Sequence, residues 1–206
     1  MKYQVETLEK SINDAWAKGD FVRQLSHEDI PQIPHGIQLS KWECMILGKL
    51  NDCVQYEVGE LVLAFPPGGS PAELVPHTHG GARIITIIDG IGKFQVKKDG
   101  KWIDIDLKKG VQVMFPKETL HTFIGVDDQA LLAHAVHCPY LLPTHPRAIV
   151  YEDGSLEQNY DDWDPREYFP DILGKPDGPL SLVCSTESAA AAAHKHLNTN
   201  LPTTAH

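Results

Sequence analysis

The 206-residue chain has little that would take it to a nucleic acid, a membrane or a disulfide framework. Basic residues are the minority: 18 Lys and Arg stand against 28 Asp and Glu, a formal net charge of -10 with histidine neutral. Neutralising a phosphate backbone takes clustered Lys and Arg. The basic pairs here are Lys97-Lys98 and Lys108-Lys109, each beside a turn glycine, so no nucleic-acid partner is expected. No apolar run is long enough to span a bilayer. Residues 1–20 are charged and amphipathic and lack the apolar core of a signal peptide, so the expected location is the cytoplasm, with no membrane partner. The four cysteines, Cys44, Cys53, Cys138 and Cys184, form no C-x-x-C pair. A zinc ribbon or thioredoxin-like redox motif is thereby excluded, and free thiols are expected in that compartment. Cys138 reads as a small packed residue.

What is present falls into three stretches. Val5, Leu8, Ile12, Ala15 and Trp16 recur at helical spacing and Gly19 ends the pattern, which predicts an amphipathic helix over residues 4–18. Residues 1–53 read as this helix plus a covering segment. Residues 54–151 change to strand periodicity. Val54, Tyr56 and Val58 alternate with polar residues; Leu61–Phe65 ends at Pro66-Pro67-Gly68-Gly69; Arg83–Ile88 is closed by Asp89-Gly90. Lys93–Val96 and Trp102–Ile105 flank Asp99-Gly100, a strong hairpin signal. Three further runs, 111–115, 120–124 and 130–137, complete an all-β series whose short strands and Gly/Pro turns argue for a sandwich or barrel. Tyr56, Phe65, Phe94, Phe115 and Phe123 are expected to line or pack it. Residues 152–206 read as an irregular C-terminal extension and a flexible tail with an alanine run, Ala189–Ala193; His194 and His196 there do not share a helix face.

The chemistry concentrates in histidine. His77 and His79 stand at i and i+2 in Pro76-His77-Thr78-His79-Gly80-Gly81, a spacing that puts both on one face of a strand. His121 follows Phe115-Pro116-Lys117-Glu118-Thr119-Leu120. Two imidazoles on one face and a third from a neighbouring strand make a nitrogen-donor site for a divalent transition metal.

Residues 77–96, from His77-Thr78-His79 to Gly90 and beyond, resemble the first cupin motif, and Gly110–Pro116 through His121 resembles the second. The resemblance covers residues 54–138 and implies a small jelly-roll β-barrel, to which the periodicity of the first residues adds an N-terminal helix. Where most cupins carry a metal-binding glutamate, this chain has Arg83, whose guanidinium has no lone pair to give. The implied metal ligands are therefore His77, His79 and His121, as in the three-histidine subset of cupins. That subset includes thiol dioxygenases and dioxygenases that cleave diketones or hydroxylated aromatic acids, acting on Fe(II) with O2 as co-substrate. The resemblance also implies a homodimer.

Three neutral imidazoles leave the metal its full +2 charge, which favours a chelating anionic substrate. Three functional readings stay open: an Fe(II) dioxygenase acting on a small oxygenated molecule; a non-redox isomerase, cyclase or lyase on Zn, Mn or Ni; and a non-catalytic sensor. Arg83 either faces the metal and clamps a substrate oxyanion, or points outward towards an acid such as Asp104. His134 and His137, an odd number of residues apart in one strand, face opposite ways, so one of them is a candidate acid/base or fourth ligand. Glu73 is the nearest upstream carboxylate that could replace the missing ligand, and Glu57 or Glu60 could shuttle protons. His27, His35 and His145 read as surface or loop residues.

Overall fold

The computed structural model describes residues 5–32, 43–45, 56–70, 75–141, 145–152 and 164–173. The expected positions Glu73, His35, Cys53, Cys184, His194 and His196, and the alanine run, lie outside the described residues.

The helix α1 spans Val5–Lys18, where its periodicity predicts a helix. It buries Ile12 and Ala15, with Leu8 beside them, against Ala82, Ile84 and Met114 of the sheet below. Truncating a fully buried Ile such as Ile12 costs about 2–5 kcal/mol, so this stripe fixes the helix on the sheet. Its end is a left-handed glycine cap. Gly19 has φ +83, Gly19 N–H donates to Trp16 O at 3.2 Å, and Asp20 N–H donates to Ala15 O at 2.9 Å.

Ten strands follow among the described residues, and all their pairings are antiparallel: β1 Val22–Gln24, β2 Glu43–Met45, β3 Gly59–Phe65, β4 His77–Thr78, β5 Ala82–Lys98, β6 Lys101–Lys108, β7 Val111–Phe115, β8 His121–Gly125, β9 Leu131–Cys138 and β10 Val150–Tyr151. They form two layers. One runs β1-β7-β5-β9-β3-β2, the other β6-β5-β8-β4-β10. The architecture is the expected all-β, jelly-roll arrangement with an N-terminal helix. Two strands, β1 and β2, come from the segment read as a cover, so the sheet reaches outside residues 54–151.

The 17-residue β5 belongs to both layers. The sequence divides it at Asp89-Gly90, but the structure carries the strand through. A register shift between Ile87 and Asp89 marks a β-bulge. Gly90 makes it feasible, with φ +87 and a position where a Cβ would lie 2.0 Å from Ala130 O. The extra residue changes the parity of inward positions. Arg83, Ile85 and Ile87 share a face before it, and Phe94 and Val96 point into the same core after it. The layers close on Leu61, Phe65, Ile85, Phe94, Phe115, Phe123 and Leu131, and the rings of Phe94 and Phe123 stack 4.7 Å apart.

The hairpin between β5 and β6 forms as predicted. Lys98 pairs with Lys101, and Asp99 and Gly100 both have positive φ (51 and 76), the two-residue turn that suits twisted strands. Two expectations are corrected. Positions 56–58 are not strand, and β3 begins at Gly59. Tyr56 is not a barrel-lining residue: it is 61% exposed with φ +74, and its hydroxyl reaches His145 Nε2 at 3.4 Å. The alternation around it reflects a turn held by Tyr56 N–H on Tyr140 O and Tyr140 N–H on Glu57 O.

Candidate metal centre

The sheet register brings the three histidines together. β4 pairs with β8 through a single register position, His77 opposite His121, and the two rings sit 4.6 Å apart. His79 follows β4 directly, its ring 4.8 Å from His77 and 5.1 Å from His121. One potential ligand atom from each lies within 4.8 Å of the other two. Metal–imidazole bonds are about 2.1 Å, so a small side-chain adjustment lets one ion engage all three.

Hydrogen bonds select the atom each ring offers. His77 Nδ1 is 2.8 Å from Val75 O, His121 Nδ1 is 2.8 Å from Thr119 O, and His79 Nδ1 is 2.5 Å from Ala148 O. A carbonyl oxygen only accepts, so each Nδ1 carries the hydrogen and each Nε2 keeps its lone pair. Burial acts in the same direction. It pulls His77 down to about 4 from 6.5, against the favourable Val75 carbonyl, and the Arg83 charge lowers it further. His79 and His121 are driven well below the usual imidazole range, again mainly by burial and then by the Arg83 and neighbouring histidine charges. Neutral imidazoles with Nε2 available are the protonation and tautomer state that metal ligation needs. The donor set therefore fits a divalent transition ion, with three protein nitrogens and no carboxylate.

The surroundings of the triad are apolar on one side. Phe115 lies 4.3 Å and Phe94 5.9 Å from the His121 ring, centroid to centroid. On the other side a short segment after the barrel straps the ligand loops. Arg147 O accepts from Gly80 N–H at 2.7 Å, Arg147 is ion-paired with Glu118, and Glu118 N–H donates to His79 O at 2.7 Å. β10 then pairs with β4, and Tyr151 places its ring 5.9 Å from His77. No side-chain signal in the sequence marks this segment, because its part is played by backbone carbonyls and one salt bridge.

The other expected site residues divide. Arg83 is turned inward and is 3% exposed, not outward against Asp104. Its Nη1 donates to Gly81 O at 3.0 Å and to Ala82 O at 3.2 Å, and its register partners are Phe115 and His137. Asp104 instead accepts from Gln95 at 3.1 Å and lies 3.8 Å from Lys93. His137 is buried on the inward face, its ring 6.3 Å from His79, outside the ligand triad. His134 is the member of the pair on the opposite face, as the odd spacing implies. It faces outward between Val62 and Thr86, with Nε2 3.3 Å from Glu60 Oε2. Strand parity puts both His134 and Glu60 on the wrong side of the sheet for the pocket, and Glu57 is exposed. Cys138, on the outer face, is packed under α1 with Sγ 3.4 Å from Val5 O, and burial raises its thiol to about 11. That is the inert packed thiol expected.

Residues 61–137 match the family model described as Cupin domain. Those residues form a cupin domain. Solved structures similar to this chain include a cupin-like protein of Thermotoga maritima, at 19% identity and a TM-score of 0.40, covering 73% of this chain and 99% of that one. A mutant of Bacillus subtilis oxalate decarboxylase is 16% identical with a TM-score of 0.37, covering 47% of this chain and 24% of that one. A structure of DMSP lyases is 19% identical with a TM-score of 0.36, covering 45% and 44%. The chain thus spans about a quarter of the decarboxylase chain and under half of the lyase chain. No functionally curated protein matches it. No helix among the described residues is long and apolar enough to cross a membrane.

Proposed function

We propose that this cupin is a metal-dependent enzyme acting on a small molecule, with Fe(II) dioxygenase chemistry on a chelating oxygenated substrate (a diketone, hydroxylated aromatic acid or thiol acid) as the leading reading. The observation that carries it is the convergence of three neutral imidazoles, each with Nδ1 engaged by a carbonyl. His77, His79 and His121 would hold the ion. When bound, Fe(II) supplies a Lewis-acidic redox centre with open coordination positions. The chain's own part is to hold three donors still, to keep water from the site with Phe94 and Phe115, and to place the permanent Arg83 charge on the inner face beside it. The neutrality of the triad leaves the ion its whole charge, which supports an anionic, chelating substrate.

A second reading has its own support. His137 supplies an imidazole inside the barrel apart from the triad, and a non-redox isomerase, cyclase or lyase on Zn, Mn or Ni needs such a proton-transfer group. Metal analysis of the protein as purified, then O2 uptake with panels of diketones, hydroxylated aromatic acids and thiols, separates the two. Fe(II)-dependent O2 uptake is expected. Turnover without O2 would replace the leading reading by the second, and stoichiometric metal without any turnover would leave a binding module.

A further inference from the structure

We propose that His137 is a positioning residue that hydrogen-bonds the ligand held at the metal centre, and that this ligand is a small carboxylate. The inference rests on the metal reading above and adds to it a residue and a ligand class.

His137 lies on β9 between Gly59 of β3 and Arg83 of β5. Gly59 has no side chain, and the Tyr140 ring takes that space: a Cβ on Gly59 would lie 2.9 Å from Tyr140 Cβ. The Tyr140 ring in turn stacks on His137 at 6.3 Å and 28°. Packing therefore fixes the plane of the imidazole. Its Nε2 is buried and has no hydrogen-bond partner among the described residues. The contrast with the triad is chemical. Each ligand histidine spends one nitrogen on a carbonyl and keeps the other for an ion, whereas His137 keeps a buried nitrogen that no described residue engages. Leaving such a group unsatisfied is destabilising, and a polar group of a bound molecule removes that cost.

Position decides what kind of molecule. The His137 ring is 6.3 Å from His79, against 4.6–5.1 Å within the pairs that His121 makes in the triad. It is too far to join the ligand set and near enough to touch a molecule whose other end is on the ion. Three neutral imidazoles leave the ion at +2, and the permanently charged Arg83 is the cross-strand neighbour of His137. Both charges favour an anionic oxygen ligand. Towards a carboxylate the neutral imidazole donates from Nε2–H, a choice of tautomer that needs no change in protonation.

The test uses the full chain loaded with Co(II), whose visible absorption reports ligands entering its coordination sphere. Glycolate is the probe, with a chelating end for the ion and a free carboxylate oxygen for His137, and chloride is the control anion, a single atom that cannot serve both. Expected for His137→Phe is glycolate binding weakened about tenfold, the loss of one charge-assisted hydrogen bond, with chloride and Co(II) affinities within about twofold of the parent. His137→Gln, which keeps a donor, recovers part of the loss and stands in if the Phe variant does not fold. Co(II) affinity falling in step with glycolate affinity would make His137 a ligand or a structural residue and overturn the proposal. So would glycolate binding unchanged in both variants, which would mean that an ordered water satisfies Nε2, or no glycolate binding by the parent. Failure of the parent to take up Co(II) at all is a separate result and sinks the metal reading itself.

Discussion

His77 and His121 are oriented by carbonyls two residues away in their own loops, whereas His79 is oriented by Ala148 O, 69 residues further along the chain. The first arrangement forms whenever the local turn forms. The second needs the segment after the barrel to fold back, pair β10 with β4 and engage Glu118 through Arg147. Residues 61–137, which match the cupin family, contain the acceptors for two ligands and omit that for the third. A complete set of ligand residues is therefore not a complete site: one third of the orientation comes from outside the stretch that carries the motifs.

The largest break to that comparison is removal of a ligand. His121→Ala is expected to lose most metal affinity with the fold retained, since two imidazoles hold a first-row ion much less tightly than three. The loss should exceed the roughly 10–100-fold that follows removal of an orienting partner. Metal titration beside a circular dichroism melt checks it, and full occupancy in this variant would remove His121 from the site.

Acid is the next largest. Burial holds folded His77 at about 4 while an unfolded histidine titrates near 6.5. As pH falls from 6.5 the unfolded chain takes the proton first, so stability present above pH 6.5 is lost progressively down to about pH 4 and the loss is complete below that. His77 alone accounts for about 3 kcal/mol. His79 and His121 shift in the same direction for the same first cause, burial. Urea titrations of the metal-free protein between pH 7 and 4 should show this slope, and His77→Gln should flatten it. An unchanged slope would mean that the imidazole is far better solvated than its burial implies.

How much of this was readable from residues alone follows the same divide between local and distant. The helix at Val5–Lys18 and the Asp99-Gly100 hairpin are legible because each rests on spacing within one short stretch, and the triad because its ligands stand in two short motifs, His77-Thr78-His79 and Gly110 through His121. The continuity of β5 is not, because Asp89-Gly90 is a turn signal that a cross-strand bulge against β9 overrides. The inward turn of Arg83 is not legible either, because register against β7 and β9, and not the sequence of β5, chooses its face. Ala148 was invisible for a simpler reason: a backbone carbonyl has no residue type.

Loosening the strap should therefore weaken the ion less than losing a ligand, and through one histidine only. Arg147→Ala removes the ion pair with Glu118 while leaving the Ala148 carbonyl in the chain. Metal affinity is expected to fall several-fold, at or below the lower end of the 10–100-fold range for orienting partners, because an exposed pair contributes little by itself. The sharper readout is nuclear magnetic resonance of the imidazole N–H protons. The His79 Nδ1–H signal should broaden or exchange faster, while those of His77 and His121 keep their protection. Equal broadening of all three would erase the distinction between local and distant orientation, and Arg147→Lys should restore part of the His79 signal.

The smallest effect is expected on the outer face of β9, where the same residue type does something else. His134 and His137 are three residues apart, yet strand parity sends His134 out to Glu60 and leaves His137 inside. The His134–Glu60 pair is only partly buried, 11% and 30% exposed, and pairs of this kind contribute up to about 1 kcal/mol. His134→Ala should lower the melting temperature by a few degrees at most, and it should leave both metal affinity and the imidazole N–H signals of the triad as they were. A drop in metal affinity comparable to that of the strap variant would show that the outer face is coupled to the centre. The orientation of the ligands would then depend on the whole of β9, and not on two turns and a returning strap.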